Sequence, residues 1–400
     1  MYVGGNANAS GAADGHVGEQ GGSVGVRFHG LTWDHPRGFN ALAAAAEGVA
    51  PRGLLSWCKQ PLEGFESRPI GDLAAQFDLL VLDHPHIGEA VALGCVRPLD
   101  QVFSPEELAT WSAGTVGAAM ASYFWQGSQW ALPLDFATQV AARRADLAPE
   151  LPDTWDDVLR LSKHRSVALS LAGPHAGICF FSLALSFGQE PGGDHLIDDA
   201  TGAAALDVMA QLHAGAPAGS EKLNPIGLLE TMATSEAIAY VPLVYGYVNY
   251  AVPAADRRPV AFGDAPQGPR GRRGSVLGGT GIALTTRASP TAELLEHVRW
   301  LMSDEAQLGF IPQHDGQPSA RRAWRDNAVN RIWRDFYRHT LTTAEQAWLR
   351  PRYDGYISFQ TEAGALIRDG LAERAPSRTT LTRLREAWRR SRRSARGPLT

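Results

Sequence analysis

A chain of 400 residues is longer than one hydrophobic core usually serves, because single cores stop growing near about 250–300 residues, and two lobes are therefore expected. The formal net charge of −5 at pH 7 argues against nucleic acid as the main partner. No stretch approaches the roughly 18 apolar residues that a membrane-spanning helix needs, and the content of 44% hydrophobic and 20% charged residues is ordinary for a globular protein.

Residues 1–23 are rich in Gly, Ala, Ser and Asn, and they are predicted to form a disordered N-terminal tail. The tail has no apolar core, no basic start and no lipid-accepting cysteine, so it does not have the features of a signal peptide. The first strand is predicted next, where Val24, Val26 and Phe28 alternate along the chain.

A polar loop follows this first strand and contains Trp33, Asp34, His35 and Arg37. A tryptophan face can stack on a sugar ring or another flat ligand, and an aspartate can accept protons from hydroxyl or amine groups. Arg37 can hold a carboxylate through two parallel hydrogen bonds. The four side chains are therefore candidates for ligand binding. In the alternative interpretation, Asp34 and His35 only cap the following helix, and Trp33 packs in the core.

A second polar loop follows residues 77–82, whose apolar side chains without alternation are typical of a central parallel strand covered on both faces. The loop contains Asp83, His84 and His86, which are predicted to bind ligand. Two histidines separated by one residue also form a metal-ligand pair in amidohydrolases, so a metal-dependent hydrolase is the rival hypothesis. Because the remaining histidines are scattered and complete no ligand set, no metal and no cofactor is predicted.

Two capping patterns predict helix starts further along the chain. Ser104 and Glu107 have the spacing of a capping box, and Thr154 and Asp157 repeat it. His175 follows a strand predicted at residues 167–171, and it is either a ligand donor or a helix cap.

A third candidate group comes from an extended segment later in the sequence. Period-two spacing places Tyr245, Tyr247 and Asn249 on one face of this segment. Ordinary packing at the end of a strand is the alternative interpretation of the three side chains.

Residues 278–310 are predicted to form a glycine turn, a strand, a helix and a second short helix. The glycines of the turn leave backbone N–H groups open to a ligand, so Gly279 and Thr280 are candidate contacts. Residues 282–286 have the composition of a strand, and Ser289 followed by proline is predicted to begin the helix.

This order of elements, together with Gln317-Pro318-Ser319-Ala320-Arg321, resembles the extracellular solute-binding proteins of ABC importers, in the family (family 1) that includes the maltose and other sugar receptors. The resemblance implies a two-lobed α/β fold of the type II periplasmic-binding-protein-like kind, with mostly parallel sheets flanked by helices and a hinge between the lobes. It implies that lobe I comprises residues 24–133 plus 263–312 and that lobe II comprises residues 137–258 plus 316–400.

The same resemblance implies a non-catalytic protein that captures a small polar solute, a carbohydrate or a sugar acid, in the cleft between the lobes for import. It places Asp135 where the chain crosses between the lobes, as a carboxylate for ligand hydroxyls or as a hinge-stabilising group, and it places Tyr245 and Tyr247 at the cleft. The implied partners are the membrane permease subunits of the transporter, and the implied oligomeric state is a monomer. The implied location is periplasmic or extracytoplasmic, although a cytosolic solute sensor is the alternative because residues 1–23 show no signal peptide.

The C-terminal region is rich in arginine, and its basic residues alternate with apolar ones. Leu381, Leu384 and Trp388 have helical spacing, so this region is predicted to form a surface helix that buries the three side chains against lobe II. Binding of an anionic lipid or of a partner protein is the alternative function of the arginines.

Overall fold

The computed structural model describes residues 26–395, and the predicted tail at residues 1–23 lies outside them. The strands within the described residues are β1 (Phe28–Trp33), β2 (Leu55–Gln60), β3 (Leu79–Leu82), β4 (Phe124–Trp125), β5 (Ser128–Gln129), β6 (Leu132–Arg143), β7 (Tyr240–Tyr245), β8 (Ala261–Gly263) and β9 (Leu277–Leu284). The α-helices are α1 (Pro36–Gly48), α2 (Leu62–Ser67), α3 (Ile70–Ala74), α4 (Ile87–Ala92), α5 (Pro105–Gly114), α6 (Ala119–Ser122), α7 (Trp155–Leu161), α8 (His175–Ser186), α9 (Asp199–Ala214), α10 (Pro225–Thr234), α11 (Ala292–Leu301), α12 (Ile311–Gln313), α13 (Arg321–Arg325), α14 (Asn327–Ile332), α15 (Phe336–Glu345), α16 (Tyr356–Ala372) and α17 (Ser377–Ala395).

One sheet runs through the whole molecule in the order β2-β1-β3-β9-β6-β7, and β8 also pairs with β6. β1 lies parallel to both of its neighbours, whereas β9 is antiparallel to β3 and to β6. We call the part built around β1, β2 and β3 lobe I, and the part built around β7 and α8 lobe II. The lobe boundaries predicted by residue number remain a prediction.

The long strand β6 connects the two lobes. Its first half, residues 132–138, pairs with β9, and its second half, residues 139–143, pairs with β7 and β8 of lobe II. Eleven of its twelve residues are buried, so the strand passes through the interior of the protein. Any change in the angle between the lobes must therefore bend or twist β6 and the neighbouring β9.

Each lobe has its own buried apolar core. In lobe I, Leu79 of β3, Leu284 of β9 and Leu294 of α11 belong to one buried apolar cluster. In lobe II, α8 is buried along its whole length, and Phe181 of α8 stacks on Phe359 of α16 with 6.3 Å between the ring centroids. None of the described helices is long and apolar enough to cross a membrane.

The predicted helix starts are confirmed at two positions and wrong at a third. Ser104 and Thr154 each cap a helix and form the predicted capping box. The helix predicted to begin at Ser289 begins two residues later, because the hydroxyl of Thr291 accepts the backbone N–H of Leu294. The strand predicted at residues 167–171 forms only a single bridge, between Val167 and Tyr240.

Helix α17 covers the outer side of lobe II. Leu381, Leu384 and Trp388 are buried against the core that contains α8, α9 and α16, as the spacing predicts. The indole nitrogen of Trp388 donates a hydrogen bond of 2.8 Å to the carbonyl of Gly193, and this bond attaches α17 to the loop before α9.

Candidate functional site

A cavity of about 60 Å³ lies between the two lobes, beside the point where β9 meets β6. Eight of the fourteen predicted ligand-binding residues line it, namely Trp33, Arg37, Asp83, His175, Tyr245, Tyr247, Gly279 and Thr280. Gly278, which also lines the cavity, belongs to the predicted glycine turn, and the lining residues that were not predicted are Leu62, Phe65, Ala137 and Pro225. The cavity therefore brings together segments that the sequence places up to 247 positions apart, from Trp33 to Thr280.

Aromatic rings form much of the cavity wall. Trp33 packs against Phe65 with 5.3 Å between ring centroids, and His175 meets Tyr245 edge-on at 5.9 Å. The guanidinium of Arg37 lies over the ring of Tyr247 at 4.7 Å. Aromatic faces held in this way offer broad apolar surfaces to the C–H faces of a bound ring or chain.

Arg37 and Asp135 form a buried ion pair next to the cavity. The Arg37 Nε donates to Asp135 Oδ2 at 2.8 Å, Nη2 donates to Oδ1, and Nη1 donates to the carbonyl of Gly246 at 3.0 Å. Burial lowers the pKa of Arg37, but the adjacent carboxylate outweighs this effect and raises it, so the arginine stays charged. These contacts join α1 of lobe I to the connecting strand β6 and to the end of β7.

This pair corrects two expectations. Arg37 does make two parallel hydrogen bonds to a carboxylate, but the carboxylate is that of Asp135 and not that of a ligand. Both oxygens of Asp135 accept from Arg37, and its side chain is only 6% exposed, which leaves little of it for ligand hydroxyls. The hinge role, which was the alternative for Asp135, agrees with its position on β6.

A second ion pair, in which Arg350 is buried and Asp83 is only partly exposed, joins the lobes. The carboxylate of Asp83, directly after β3, accepts two hydrogen bonds from Arg350 Nη2, at 2.8 and 2.6 Å. Arg350 Nη1 donates to Gln360 Oε1 of α16 at 2.8 Å, so the arginine belongs to lobe II. Burial raises the pKa of Asp83, but Arg350 and His84 together outweigh burial and hold that pKa well below its usual range. Arg350 was not predicted, since no local pattern surrounds it.

His84 and His86 do not line the cavity, although both are buried. His84 Nδ1 lies 3.1 Å from Asp83 Oδ1, and its ring meets Tyr123 edge-on. Among the described residues, no three His, Cys, Asp or Glu side chains are grouped closely enough to hold a metal ion. The arrangement gives no support to a metal-dependent hydrolase.

Burial of His84 predicts that the protein loses stability in acid. Burial, followed by the charge of Arg350, lowers the pKa of His84 from 6.5 to about 4. Below pH 6.5 the unfolded chain binds a proton at His84 that the folded protein does not bind until about pH 4. The stability that is present above pH 6.5 is therefore lost as the pH falls. Between pH 7 and about pH 4.5, the free energy of unfolding of His84→Asn, measured with urea, should fall by about 2–3 kcal/mol less than that of the wild type.

The matched control for this prediction is His164→Asn, since His164 is exposed. If His84→Asn and His164→Asn showed the same pH dependence as wild type, protonation of His84 would play no part in acid sensitivity.

Three of the remaining predicted residues have structural contacts of their own. Asp34 is exposed and pairs with Lys59 at 2.7 Å. His35 caps α1 by accepting the backbone N–H of Arg37 at 3.1 Å, so the alternative interpretation holds for this histidine. Asn249 lies in a short 3-10 turn, Val248–Ala251, and donates to the carbonyl of Asp315, so it does not share an extended face with Tyr245 and Tyr247.

The predicted glycine turn is wrong, because Gly278, Gly279 and Gly281 lie inside β9 and pair with β6. Glycine is required there by close packing. A Cβ atom on Gly278 would lie 2.5 Å from the ring of Tyr245, and one on Gly279, whose φ is +93°, would lie 2.5 Å from the carbonyl of Asp135. The glycines thus let the cavity wall and the connecting strand approach each other.

The unpredicted side of the cavity comes from two helix starts that face each other. Leu62 and Phe65 belong to α2 of lobe I, and Pro225 is the first residue of α10 in lobe II. A hydrogen bond of 3.2 Å from Asn224 Nδ2 to Glu63 Oε1 joins the two helices. Asn224 followed by Pro225 has the helix-start pattern of an N-cap and a proline, whereas no motif marks Leu62 or Phe65.

Solved structures of several transport proteins resemble the chain over most of its length. The ABC transporter solute-binding protein of Agrobacterium radiobacter K84, in complex with ribitol, has a TM-score of 0.75 and 20% identity, over 90% of this chain and 97% of that chain. The GacH receptor of Streptomyces glaucescens, solved unliganded and with acarbose, has a TM-score of 0.74 and 14% identity, over 91% and 97% of the two chains. Maltose-bound MalE3 of T. maritima has a TM-score of 0.69 and 18% identity, over 83% and 90%.

The amino-acid sequence matches no protein-family model, and no curated protein matches it by sequence. The structural matches span nearly the full length of the relatives, and they confirm the fold class expected from the sequence. The chain therefore has the two-lobed periplasmic-binding-protein fold that is found in the sugar solute-binding proteins of ABC transporters.

Proposed function

We propose that the protein is the non-catalytic solute-binding component of an ABC importer, and that its lobes close on one small uncharged solute, a carbohydrate or a polyol. The observation that carries this proposal is the composition of the wall between the lobes, which is aromatic and includes residues with buried polar atoms. The cavity of about 60 Å³ must widen as the lobes open to admit a solute. Solved proteins of the same fold bind ribitol, D-mannitol and maltose, which are uncharged polyhydroxy compounds.

Two residues that line the cavity, Trp33 and Thr280, each carry a buried polar atom of a kind that binds hydroxyl groups. The indole Nε1 of Trp33 and the Oγ1 of Thr280 are buried, and neither has a hydrogen-bond partner among residues 26–395. A buried polar group without a partner is costly, so a ligand that supplies one gains free energy by doing so. Trp33 donates only and Thr280 can donate or accept, which matches the hydroxyls of a sugar or polyol.

The charges beside the cavity favour an uncharged solute over a sugar acid. Arg37 is neutralised by Asp135, and Asp83 is neutralised by Arg350, each within the protein. A buried anionic ligand would add a charge without a counter-charge in a region of low dielectric, where such a charge is expensive. The site therefore lacks the spare positive charge that a sugar acid requires.

Calorimetric titration with ribitol, D-mannitol, maltose and D-gluconate tests this proposal. We expect one of the uncharged compounds or a close relative of it to bind, and we expect gluconate not to bind. X-ray scattering on the same sample should show compaction on binding, because closure depends on contacts made only in the closed state. Binding of gluconate in preference to every uncharged compound would contradict the proposed solute class.

Replacing Thr280 with valine tests the role of its hydroxyl. The variant keeps the side-chain shape but removes the polar atom, so we expect the solute affinity to fall by about tenfold, corresponding to about 1.4 kcal/mol. Thr286→Val, on an exposed position just after the same strand, is the matched control and should bind as wild type does. Equal affinity of both variants would place Thr280 outside the binding site.

The proposal also assigns a cellular role. The partners are the permease subunits of the transporter, and the protein acts as a monomer outside the inner membrane. Fractionation of cells that express the native gene tests this location, and a protein confined to the cytosol would instead support a solute sensor.

A further inference from the structure

We infer that the exposed side of helix α17 is a docking surface for the anionic headgroups of a phospholipid bilayer. This surface, which we call the arginine face, consists of Arg383, Arg389, Arg390 and Arg393, all of which are exposed. The inference concerns the outer side of lobe II and does not depend on the identity of the solute.

The arginine face exists because α17 uses its other side to pack on lobe II. Leu381, Leu384 and Trp388 are buried, so the exposed side of α17 carries no large apolar side chain. The helix carries seven arginines against a single glutamate, in a protein whose net charge is −5. The positive charge is thus concentrated on one helix of an otherwise acidic molecule.

Most of the arginine face is not neutralised by the protein itself. Arg390 pairs with Glu362 of α16. No ion pair joins Arg383, Arg389 or Arg393 to a carboxylate within the part of the chain that the structure describes. Three guanidinium groups are therefore available to an external anion, and each can bind a phosphate through two parallel hydrogen bonds.

A hollow of about 280 Å³ borders the arginine face, and it is lined by Trp388, Arg389, Arg392, Arg393 and Asp194. Arg392 is held in place, since it donates to the carbonyl of Gly193 at 2.7 Å and lies over the ring of Trp388. Asp194 lies 3.5 Å from Arg392, but its side chain is 93% exposed, so its charge only weakly offsets the charges of the three arginines that line the hollow. The hollow has the net positive charge that a phosphate headgroup needs.

The chemistry of the arginine face favours a bilayer over a protein partner. Protein interfaces derive most of their binding energy from buried aromatic and apolar side chains at their centre. The exposed large apolar side chains among the described residues are Val26, Val49, Leu93, Phe124, Leu151 and Ile332, and none of them lies on α17. A bilayer requires only positive charges held near its surface, and each such charge strengthens attachment independently.

Vesicle sedimentation of the full chain tests the inference. We expect the protein to sediment with vesicles of phosphatidylcholine containing about 30% phosphatidylglycerol, and not with phosphatidylcholine alone. Bound protein should be released when NaCl is raised from about 50 mM to about 500 mM, because salt screens exposed charges. The variant Arg383→Gln/Arg389→Gln/Arg393→Gln should bind the anionic vesicles about 100-fold more weakly.

The matched control is Arg52→Gln/Arg331→Gln/Arg334→Gln, which removes three exposed arginines from other surfaces and changes the net charge equally. It should sediment as wild type does, and circular dichroism and urea unfolding should show that both triple variants remain folded. Equal vesicle binding by the two triple variants would show that vesicle binding depends only on the net charge of the protein, and this result would overturn the inference. Binding to polyglutamate without binding to anionic vesicles would overturn the choice of a lipid partner.

Discussion

The variant Arg350→Met should be less stable than wild type by about 3 kcal/mol, because it leaves the largely buried Asp83 carboxylate without its counter-charge. Arg350 is 2% exposed, and it supplies both hydrogen bonds that Asp83 receives from lobe II. Urea unfolding at pH 7 measures the effect. The double variant Asp83→Asn/Arg350→Met removes both charges, so we expect it to recover much of the lost stability.

The control for this prediction is an ion pair of the same chemistry at the surface. Arg322 pairs with Asp304, and the two side chains are 70% and 59% exposed. Arg322→Met should therefore change the stability by about 1 kcal/mol or less. If Arg322→Met and Arg350→Met lost similar amounts of stability, burial of Arg350 would not strengthen its ion pair with Asp83.

Local patterns explain which site residues could be predicted from the sequence. Trp33 ends β1, Arg37 lies in the first turn of the next helix, and Asp83 directly follows β3, which the apolar run at residues 77–82 identifies. The carboxyl ends of such parallel strands meet at one edge of a sheet. Of the predicted alternation, Phe28 lies in β1, Val26 precedes it, and Val24 lies outside the described residues. The capping boxes at Ser104 and Thr154 are equally local, since each is complete within four residues.

Pairings between distant parts of the chain could not be predicted in this way. Arg350 lies 267 positions from Asp83, and nothing near it in the sequence distinguishes it from the other arginines. The partner of Arg37 was misjudged for the same reason, since Asp135 lies 98 positions away. Which carboxylate neutralises which arginine depends on how the lobes pack, and hydrophobic periodicity carries no information about it.

Glycine was the most misleading signal. Three glycines within four residues are typical of a turn, yet Gly278, Gly279 and Gly281 continue a strand of eight residues. The reason lies in their neighbours, because the rings of Tyr245 and Tyr123 and the backbone of Asp135 occupy the space of the missing side chains. A glycine required by close packing and one required by a turn look the same in a single sequence.

The variant Arg37→Met should also be destabilised by about 3–5 kcal/mol, since Asp135, whose pKa burial already raises, would lose its counter-charge and would have to stay ionised without a partner or take up a proton. The double variant Arg37→Met/Asp135→Asn should recover much of this stability, and the difference measures the coupling between the two side chains. Both effects can be followed by urea unfolding at pH 7.

Solute binding by this double variant separates a hinge role from direct contact with the ligand. Arg37 already directs three N–H groups at Asp135 and Gly246, and these contacts hold α1 against β6 and the end of β7. If the pair only holds the lobes in place, the folded double variant should bind solute within about tenfold of wild type. A folded double variant that has lost all binding would show instead that Arg37 or Asp135 contacts the solute directly, and the ion pair would then be part of the recognition surface.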